Sequence, residues 1–477
     1  VNYKERIFLE SALSEKSLNS LAQFFLWLES RSDANRFEVN KIPLNKLKAW
    51  HFEEETGNLV HQSGKFFKIE GINVYTNFGS TPHWMQPIIN QPEIGILGFL
   101  TKRFNGILHF LVQAKMEPGN VNILQLSPTV QATRSNFTQV HGGVKPRYLE
   151  YFLDTTRAHA LVDQLQSEQG SRFLRKRNRN IIIEMKEHDQ VELHDDFFWL
   201  TLAQIFELLK VPNLVNMDSR TVLSCVRYAN IEGIVDKSFI SRQNNDFHEA
   251  VLHSAIAEEH NSVNDFDTIV SWLTHMKTRY ELHVYRVPLN QTEGWSSDGV
   301  EVKHRNGKFF SVIGVSVSAS NREVRSWEQP LIESVKGGII CFLCQKKNDI
   351  LHFIVQARVE PGNFDCVEMA PTLQCTPSNY DSNNRDLLPP FYDLVMNART
   401  QQVRYNTLQS EEGGRFYHDQ NRYIVIELDA DQKMELPDNY VWMTIRQMKE
   451  FLRFNNYLNI EARGLISCIS VSKRLHI

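Results

Sequence analysis

Cysteine is scarce in this chain. Six cysteines in 477 residues cannot form the disulfide framework of a small secreted domain. The closest pair, Cys341-Phe-Leu-Cys344, lies in an apolar strand-length run with no second pair, which favours packing over redox or zinc chemistry. An excess of positive charge is missing too: the net charge is -4, so no basic footprint argues for nucleic acid. No apolar run approaches the roughly 20 residues needed to cross a bilayer; the best, Gly338 to Cys344, is strand-length. The opening Lys4-Glu5-Arg6 lacks the apolar core of a signal peptide, and a cytoplasmic location is expected, with neither membrane nor nucleic-acid partner. A Gly-rich dinucleotide fingerprint, a phosphate loop and a Gly-x-Ser-x-Gly elbow are all absent. Nothing forms a nicotinamide, flavin or pyridoxal site, so no cofactor is expected. His248 and His253 are five apart and point in different directions on a helix, where a zinc motif needs a spacing of four; no metal is expected.

What the chain does contain is a long internal repeat. Ile107-Leu-His-Phe-Leu-Val-Gln-Ala-Lys-Met-Glu-Pro-Gly-Asn120 returns at Ile350-Leu-His-Phe-Ile-Val-Gln-Ala-Arg-Val-Glu-Pro-Gly-Asn363, with eleven of fourteen residues identical. An offset of 243 also carries Gly64-Lys-Phe-Phe67 onto Gly307-Lys-Phe-Phe310, and Trp84 onto Trp327. The same shift holds at Pro128-Thr129, Ser167-Glu168, Arg172-Phe173, Asn216, Arg220 and Ser224-Cys225. Upstream it becomes 245, at Trp27/Trp272, Pro43/Pro288 and Trp50/Trp295, which places a two-residue length change in a loop between Trp50 and Gly64. A period this long marks a duplicated domain rather than a solenoid. The expected division is a first repeat at 1–227, a linker with a bridging helix (Phe247 to Ala257) at 228–267, and a second repeat at 268–477.

Within each unit the pattern predicts a leading helix (Leu21 to Leu28), several strands, a long helix (Tyr148 to Gln166), a buried strand (Ile181 to Met185) and two short helices. Strands are expected at Phe66 to Ile69, Ile72 to Tyr75, Ile96 to Thr101, Ile107 to Met116 and Ile123 to Leu126. Thr201-Leu-Ala-Gln204 and Thr444-Ile-Arg-Gln447 have the form of a capping box. In the repeated strand, Leu108, Phe110, Val112, Ala114 and Met116 make a dry face. His109, Leu111, Gln113, Lys115 and Glu117 make a wet one, closed by the turn signal Pro118-Gly119-Asn120. Same-face neighbours sit roughly 7 Å apart, so this row could floor a polar ligand site or simply be solvated.

A second polar stretch, Leu126 to Gly143, is non-periodic, rich in hydrogen-bonding side chains and runs into Pro146-Arg-Tyr-Leu-Glu-Tyr151. Here the residues carry a resemblance. Gln113 to Asn120, Thr129-Val-Gln-Ala-Thr-Arg-Ser-Asn136, His141-Gly142, Tyr148 to Phe152 and Leu165-Gln-Ser-Glu-Gln-Gly170 are similar to the NDP-hexose 2,3-dehydratase family over nearly the whole chain. The resemblance implies an α+β protein of two tandem duplicated domains like the Nudix fold, each a mixed sheet with flanking helices, assembled as a homodimer. It implies a dTDP-4-keto-6-deoxyglucose substrate and a 3,4-diketo-2,6-dideoxy sugar product. Nudix hydrolysis itself is not expected: beside Arg322-Glu323-Val324, the nearest approach to its metal helix, Ser326 and Trp327 stand where further carboxylates belong.

In such a substrate the C4 ketone acidifies the C3 proton, and the protein must supply a base, a donor for the C2 hydroxyl and donors for the C4 oxygen. Tyr151, His141, Glu117, Glu150 and Tyr148 are candidates for proton transfer, with Tyr151 and His141 preferred. Lys115 and Arg134 are candidates to hold the enolate or the pyrophosphate. Gln113, Ser135, Asn136, Tyr148 and Trp84 are candidates for substrate binding, as are Gln356, Arg358 and Glu360 in a second pocket. Tryptophans 50, 84, 295 and 327 could stack on a thymine or belong to the core. The second repeat replaces Arg134, His141 and Tyr151 by Pro377, Asn384 and Leu394, so the first is expected to hold the reactive pocket. A non-catalytic nucleotide-sugar binding or regulatory protein is the alternative.

Overall fold

The computed structural model describes residues 3–133, 146–154, 158–228, 246–320, 324–380 and 387–471. Each half carries a seven-stranded mixed sheet. In the first, the order is Ala158–Ser167, Arg177–Met185, Gly95–Phe104, Ile107–Met116 and Phe197–Leu200, with Leu124–Ser127 and Val130–Ala132 paired to the middle strands. One of these pairings is parallel, between Arg177–Met185 and Gly95–Phe104; its neighbours are antiparallel. The second half repeats this register: Gln113 faces Phe197 and Gln356 faces Tyr440, positions related by the same offset. The protein is thus an α+β duplication with mixed sheets and flanking helices. The length change falls in one hairpin, where Trp50–Phe52 and Leu59–His61 are joined by a longer loop than Trp295–Ser297 and Val302–His304.

The helices form where their caps predict. Thr201 and Thr444 each accept from the backbone three residues on while Gln204 and Gln447 return the bond, satisfying donors that a helix start leaves orphaned. Asn216 and Asn459 cap Met217–Ser224 and Ile460–Cys468 in the same way. Phe99, Phe110, Leu200 and Leu208 of the first half share one apolar cluster with Phe342, Phe353, Phe451 and Leu465 of the second. The core is therefore continuous across the duplication. Cys341 and Cys344 are fully buried in the second sheet as free thiols, in keeping with a packing role.

Three expected elements differ. The span from Tyr148 to Gln166 is a short helix, Leu149–Leu153, followed by the strand Ala158–Ser167. A register shift between Ala160 and Val162 buries Leu161 and Val162 side by side, and this bulge imitates helical spacing in the sequence. The two strands expected at Phe66 to Ile69 and Ile72 to Tyr75 are one continuous strand, Lys68–Thr76, with Phe66 and Phe67 lying just before it. Gly71 within it admits the other half: a Cβ there would lie 2.3 Å from Thr292 Oγ1. The helix at Phe247–Ile256 is no bridge. Its Ser254 Oγ donates to the Leu351 carbonyl at 2.6 Å, as Ser11 in Tyr3–Leu13 does to Leu108 at 2.7 Å, so it opens the second repeat.

The two five-stranded sheets are mixed in ancestry. Leu282–Val287, from the second repeat, pairs with Lys68–Thr76 of the first; Phe37–Ile42, from the first, pairs with Phe310–Ala319 of the second. Arg286 on one exchanged strand grips buried Glu70 with two bonds of 2.8 Å. Burial opposes ionisation there, but Arg286, Lys68 and Asn90 together hold the Glu70 carboxyl below its usual range. Backbone is exchanged as well. Gly119 N–H donates to Gly413 O at 2.7 Å, and Gly362 N–H to Gly170 O at 2.6 Å. A Cβ on Gly119 would fall 1.6 Å from Phe416 O, and one on Gly362 1.7 Å from Phe173 O; the glycines of the repeated Pro-Gly turn serve this close approach. Fully buried Arg220 donates to Gln409 Oε1 at 3.0 Å and Ser410 O at 2.6 Å, and Arg463 reciprocally to Thr221 Oγ1 at 2.9 Å and Ser167 O.

Two outcomes follow from the exchange. Gly119→Ala should lower unfolding free energy by about 3 kcal/mol, the upper end for overpacking, measured as a urea midpoint; an unchanged midpoint would contradict the docking. Residues 1–228 and 246–477 expressed separately should each lack a strand of their small sheets and stay unfolded by circular dichroism, folding when co-expressed. A soluble, cooperatively unfolding single half would overturn the exchange.

Candidate active site

The repeated strand Ile107–Met116 has no wet face. His109 is 1% exposed, Leu111 0%, Lys115 9% and Glu117, which follows the strand, 5%. The polar positions divide into two jobs. His109 is structural: Nδ1–H donates to Ile107 O at 2.9 Å and Nε2 accepts from Leu18 N–H at 3.0 Å, and burial pushes its pKa down, keeping the ring neutral for that pair of bonds. Lys115 and Glu117, at the other end, line a cavity of about 590 Å³, within the range of small-molecule sites. Gln113 lies between, half-buried, with Ser127 Oγ 3.5 Å from its amide oxygen, and does not line the cavity.

Both repeats build the cavity. Lys115, Glu117, Gln131, Lys176, Asn178 and Asp218 come from the first; Trp327, Gln329, Glu412, Gly414 and Arg415 come from the second. The exchanged glycine contact brings them together, because Gly413 docks on Gly119 just beyond Glu117. Glu117 is oriented by a relay: Gln131 Nε2 donates to it at 2.9 Å, and Asn216 Nδ2 donates to Gln131 Oε1 at 3.2 Å. Asn216 also caps its helix through Ser219 N–H at 2.8 Å, so a helix start fixes a carboxylate two side chains away. Lys115 Nζ reaches Gln131 O at 3.3 Å. The second repeat keeps the relay through Asn459, Gln374 and Glu360, but there Arg358 Nε lies 3.0 Å from Glu360 and joins it in an ion pair.

The charged groups of the cavity are strongly perturbed. Burial raises the Glu412 carboxyl to about 7, against Arg415 and with help from Glu168 and Glu117. Burial also lifts Asp218 well above the usual carboxylate range, and Glu412, Glu168 and Glu117 add to it. Lys176 is pushed down by burial, while its ammonium donates to Glu93 O and to Asn178 Oδ1. Arg415 lies 4.2 Å over the Phe67 ring and donates to Gln91 Oε1 at 3.2 Å. A cavity with two carboxyls titrating far from their free values, beside a lysine, carries the equipment for proton transfer next to a developing anion. Two tryptophans flank it: Trp50 N–H donates to Glu328 O at 3.1 Å and Trp327 N–H to Gln329 Oε1 at 2.8 Å.

Several expected site residues lie elsewhere. Tyr148 is buried with its hydroxyl donating to Glu192 O at 2.6 Å and its ring edge-on to Phe197. Glu150 and Tyr151 on the same short helix do not line the cavity, and the Tyr151 ring packs 6.5 Å from that of Tyr148. Trp84 packs with Ile72, Val74 and Ile88; the exchange brings its counterpart Trp327 to this cavity instead. Gln356, bonded to Pro371 O at 2.8 Å, and Arg358 and Glu360 stay in the second repeat. Arg134, Ser135, Asn136 and His141 lie outside the described residues, as do Arg322 and Glu323; the flanking Thr133 and Pro146 both line the cavity. Asp218, Glu412, Lys176 and Arg415 were not foreseen as site residues. Arg415 alone carried a signal, as part of the matched pair Arg172-Phe173 and Arg415-Phe416; Glu412, Lys176 and Asp218 stand opposite Gln169, Asp419 and Glu461, and only the fold reveals them.

The family model for NDP-hexose 2,3-dehydratase matches residues 21–226 and again 266–469. The chain therefore belongs to the NDP-hexose 2,3-dehydratase family, a family of enzymes, with one match per repeat. Among individual proteins, it is 47% identical to the dTDP-4-dehydro-6-deoxy-alpha-D-glucopyranose 2,3-dehydratase of Saccharopolyspora spinosa, over 97% of this chain and 94% of the relative. It is 45% identical to the protein of the same name from Amycolatopsis orientalis, over 99% and 94%, and 43% to that of Streptomyces violaceoruber, over 95% and 97%.

The relay that orients Glu117 should be energetically visible. Gln131→Leu removes its amide donor and leaves buried Asn216 short of an acceptor, at a cost of about 1–3 kcal/mol. A urea midpoint equal to wild type would show that Gln131 holds neither partner.

Proposed function

We propose that the composite cavity binds dTDP-4-keto-6-deoxyglucose and eliminates its C2 hydroxyl, giving the dTDP-3,4-diketo-2,6-dideoxyhexose. The relatives' activity supports the substrate, since the likeness runs through both repeats. The observation that carries the site is the grouping of Lys115, Glu117, Asp218 and Glu412 around one cavity, with the Asp218 and Glu412 carboxyls raised by burial beside a cation. The chemistry needs just that. Removing the C3 proton sends its electron pair toward the C4 oxygen; a cation there stabilises the enolate. As the ketone re-forms, C2 and C3 become double-bonded and the C2–O bond breaks, releasing water once the oxygen is protonated. The resulting enol takes a proton at C2 and becomes the diketone.

Lys115 is the group we assign to the developing anion, and Glu117, fixed by Gln131, to the sugar. Trp50 and Trp327 offer aromatic faces for the thymine. We assign the reaction to the first-repeat pocket, whose lining combines Lys115, Glu117, Asp218 and Glu412. No helix of the described residues is long and apolar enough to cross a membrane. We take the working assembly to be a homodimer, which light scattering would report as twice the 55.5 kDa chain.

Incubation with the 4-keto sugar nucleotide should give loss of one water by mass spectrometry and diketone absorbance. Lys115→Met should lower turnover by roughly a hundredfold or more, as for other oxyanion donors, while Arg358→Met leaves it near wild type. Turnover should survive dialysis against a chelator. An intact sugar after incubation would make the protein a binder; a silent Lys115 with an essential Arg358 would move the chemistry to the other repeat.

A further inference from the structure

One difference between the two pockets is not explained by the proposed roles of Lys115 and Glu117. The loop each repeat lends to the other reads Ser167-Glu-Gln-Gly170 in the first and Ser410-Glu-Glu-Gly413 in the second. Glu412 thus enters the first-repeat pocket, while its counterpart Gln169 is tied by its amide to Glu411 Oε2 at 2.6 Å. Among the described residues the Glu412 carboxylate makes no hydrogen bond, although it lines the cavity. Its Oε1 and that of Glu117 lie 3.0 and 3.6 Å from the same point above Gly414, so the two carboxylates share one corner. The backbone that presents it is fixed: Phe416 N–H bonds to Glu412 O at 2.9 Å, and Gly119 N–H to Gly413 O at 2.7 Å.

We propose that Glu412, supplied by the second repeat to the first repeat's pocket, is the group that takes the C3 proton. Resting on the dehydratase reading above, the step balances within the substrate. Ionised Glu412 accepts the C3 proton and the electron pair passes to the C4 oxygen. When the C4 ketone re-forms and the C2–O bond breaks, Glu412 returns that proton to the departing oxygen as water, ending ionised and needing no outside oxidant or reductant. A neutral amide at Gln169 can do neither, and the duplication leaves one pocket with a proton carrier at this position and one without.

The groups facing Glu412 are Glu117 from the central strand, Glu168 and Lys176 from the neighbouring strand ends, Asp218 from its helix and Arg415 from its own loop. Burial among them raises the Glu412 carboxyl to about 7. Below that pH it is protonated and cannot accept, so kcat should rise as pH increases through about 7.

Glu412→Gln is the test, and Gln169 shows that glutamine is tolerated at the equivalent backbone position. Turnover of dTDP-4-keto-6-deoxyglucose should fall about a hundredfold or more, the usual worth of a positioned base, with dTDP binding by calorimetry unchanged. Exchange of the C3 hydrogen in heavy water should be lost in parallel, and the limb of the pH profile near neutrality should vanish. Glu412→Asp should keep measurable turnover and that limb, displaced. Wild-type turnover in Glu412→Gln, or a loss of turnover explained by lost dTDP binding with the limb intact, overturns the proposal while leaving the dehydratase reading standing. A wild-type enzyme that binds dTDP but never dehydrates the sugar refutes that reading instead.

Discussion

Everything at the cavity depends on two backbone hydrogen bonds that cross the duplication, Gly119 to Gly413 and Gly362 to Gly170. They hold each repeat's Pro-Gly turn against the other's Glu-rich loop at a distance only glycine allows. Buried Arg220 and Arg463 then clamp the same loops from behind, each donating into the opposite half. A buried guanidinium is costly unless it is hydrogen-bonded; Arg220 donates through both terminal nitrogens and Arg463 through all three nitrogens, which ties the loops to one arrangement. The exchanged strands extend the same logic to the small sheets, and bring Trp327 and Trp50 onto one rim.

A duplication joined in this way can diverge asymmetrically. Glu412, Gly414 and Arg415 of the second repeat's loop line the first repeat's pocket. A change in one copy therefore alters the other copy's site. Glu412 against Gln169 is such a difference, and comparing each half only with itself would misplace the lent loop residue.

Much of the fold was legible because its signals are local. The constant offset, the capping boxes at Thr201 and Thr444 and the strand at Ile107–Met116 need only neighbours in sequence. The failures share a cause. One strand was expected as two, the bulge after Ala160 read as a helix, and Phe247–Ile256 read as a bridge; each owes its state to packing against distant chain, which periodicity does not encode. At the site, Lys115 and Glu117 were visible because they recur on a strand of evident pattern. Tyr148 and Tyr151 had the right chemistry, but one hydroxyl is committed to Glu192 O and neither ring lines the cavity. Glu412 and Asp218 were hidden by distance: only the fold brings positions 117, 218 and 412 together.

The central claim is that one reactive pocket is assembled from both repeats. A crystal of the protein soaked with dTDP-glucose tests it most directly. The account predicts a hexose ring between Lys115 and Glu117 on one side and Glu412 on the other, with thymine against Trp50 or Trp327. A sugar seated wholly on first-repeat residues, out of reach of Glu412 and Arg415, would contradict it.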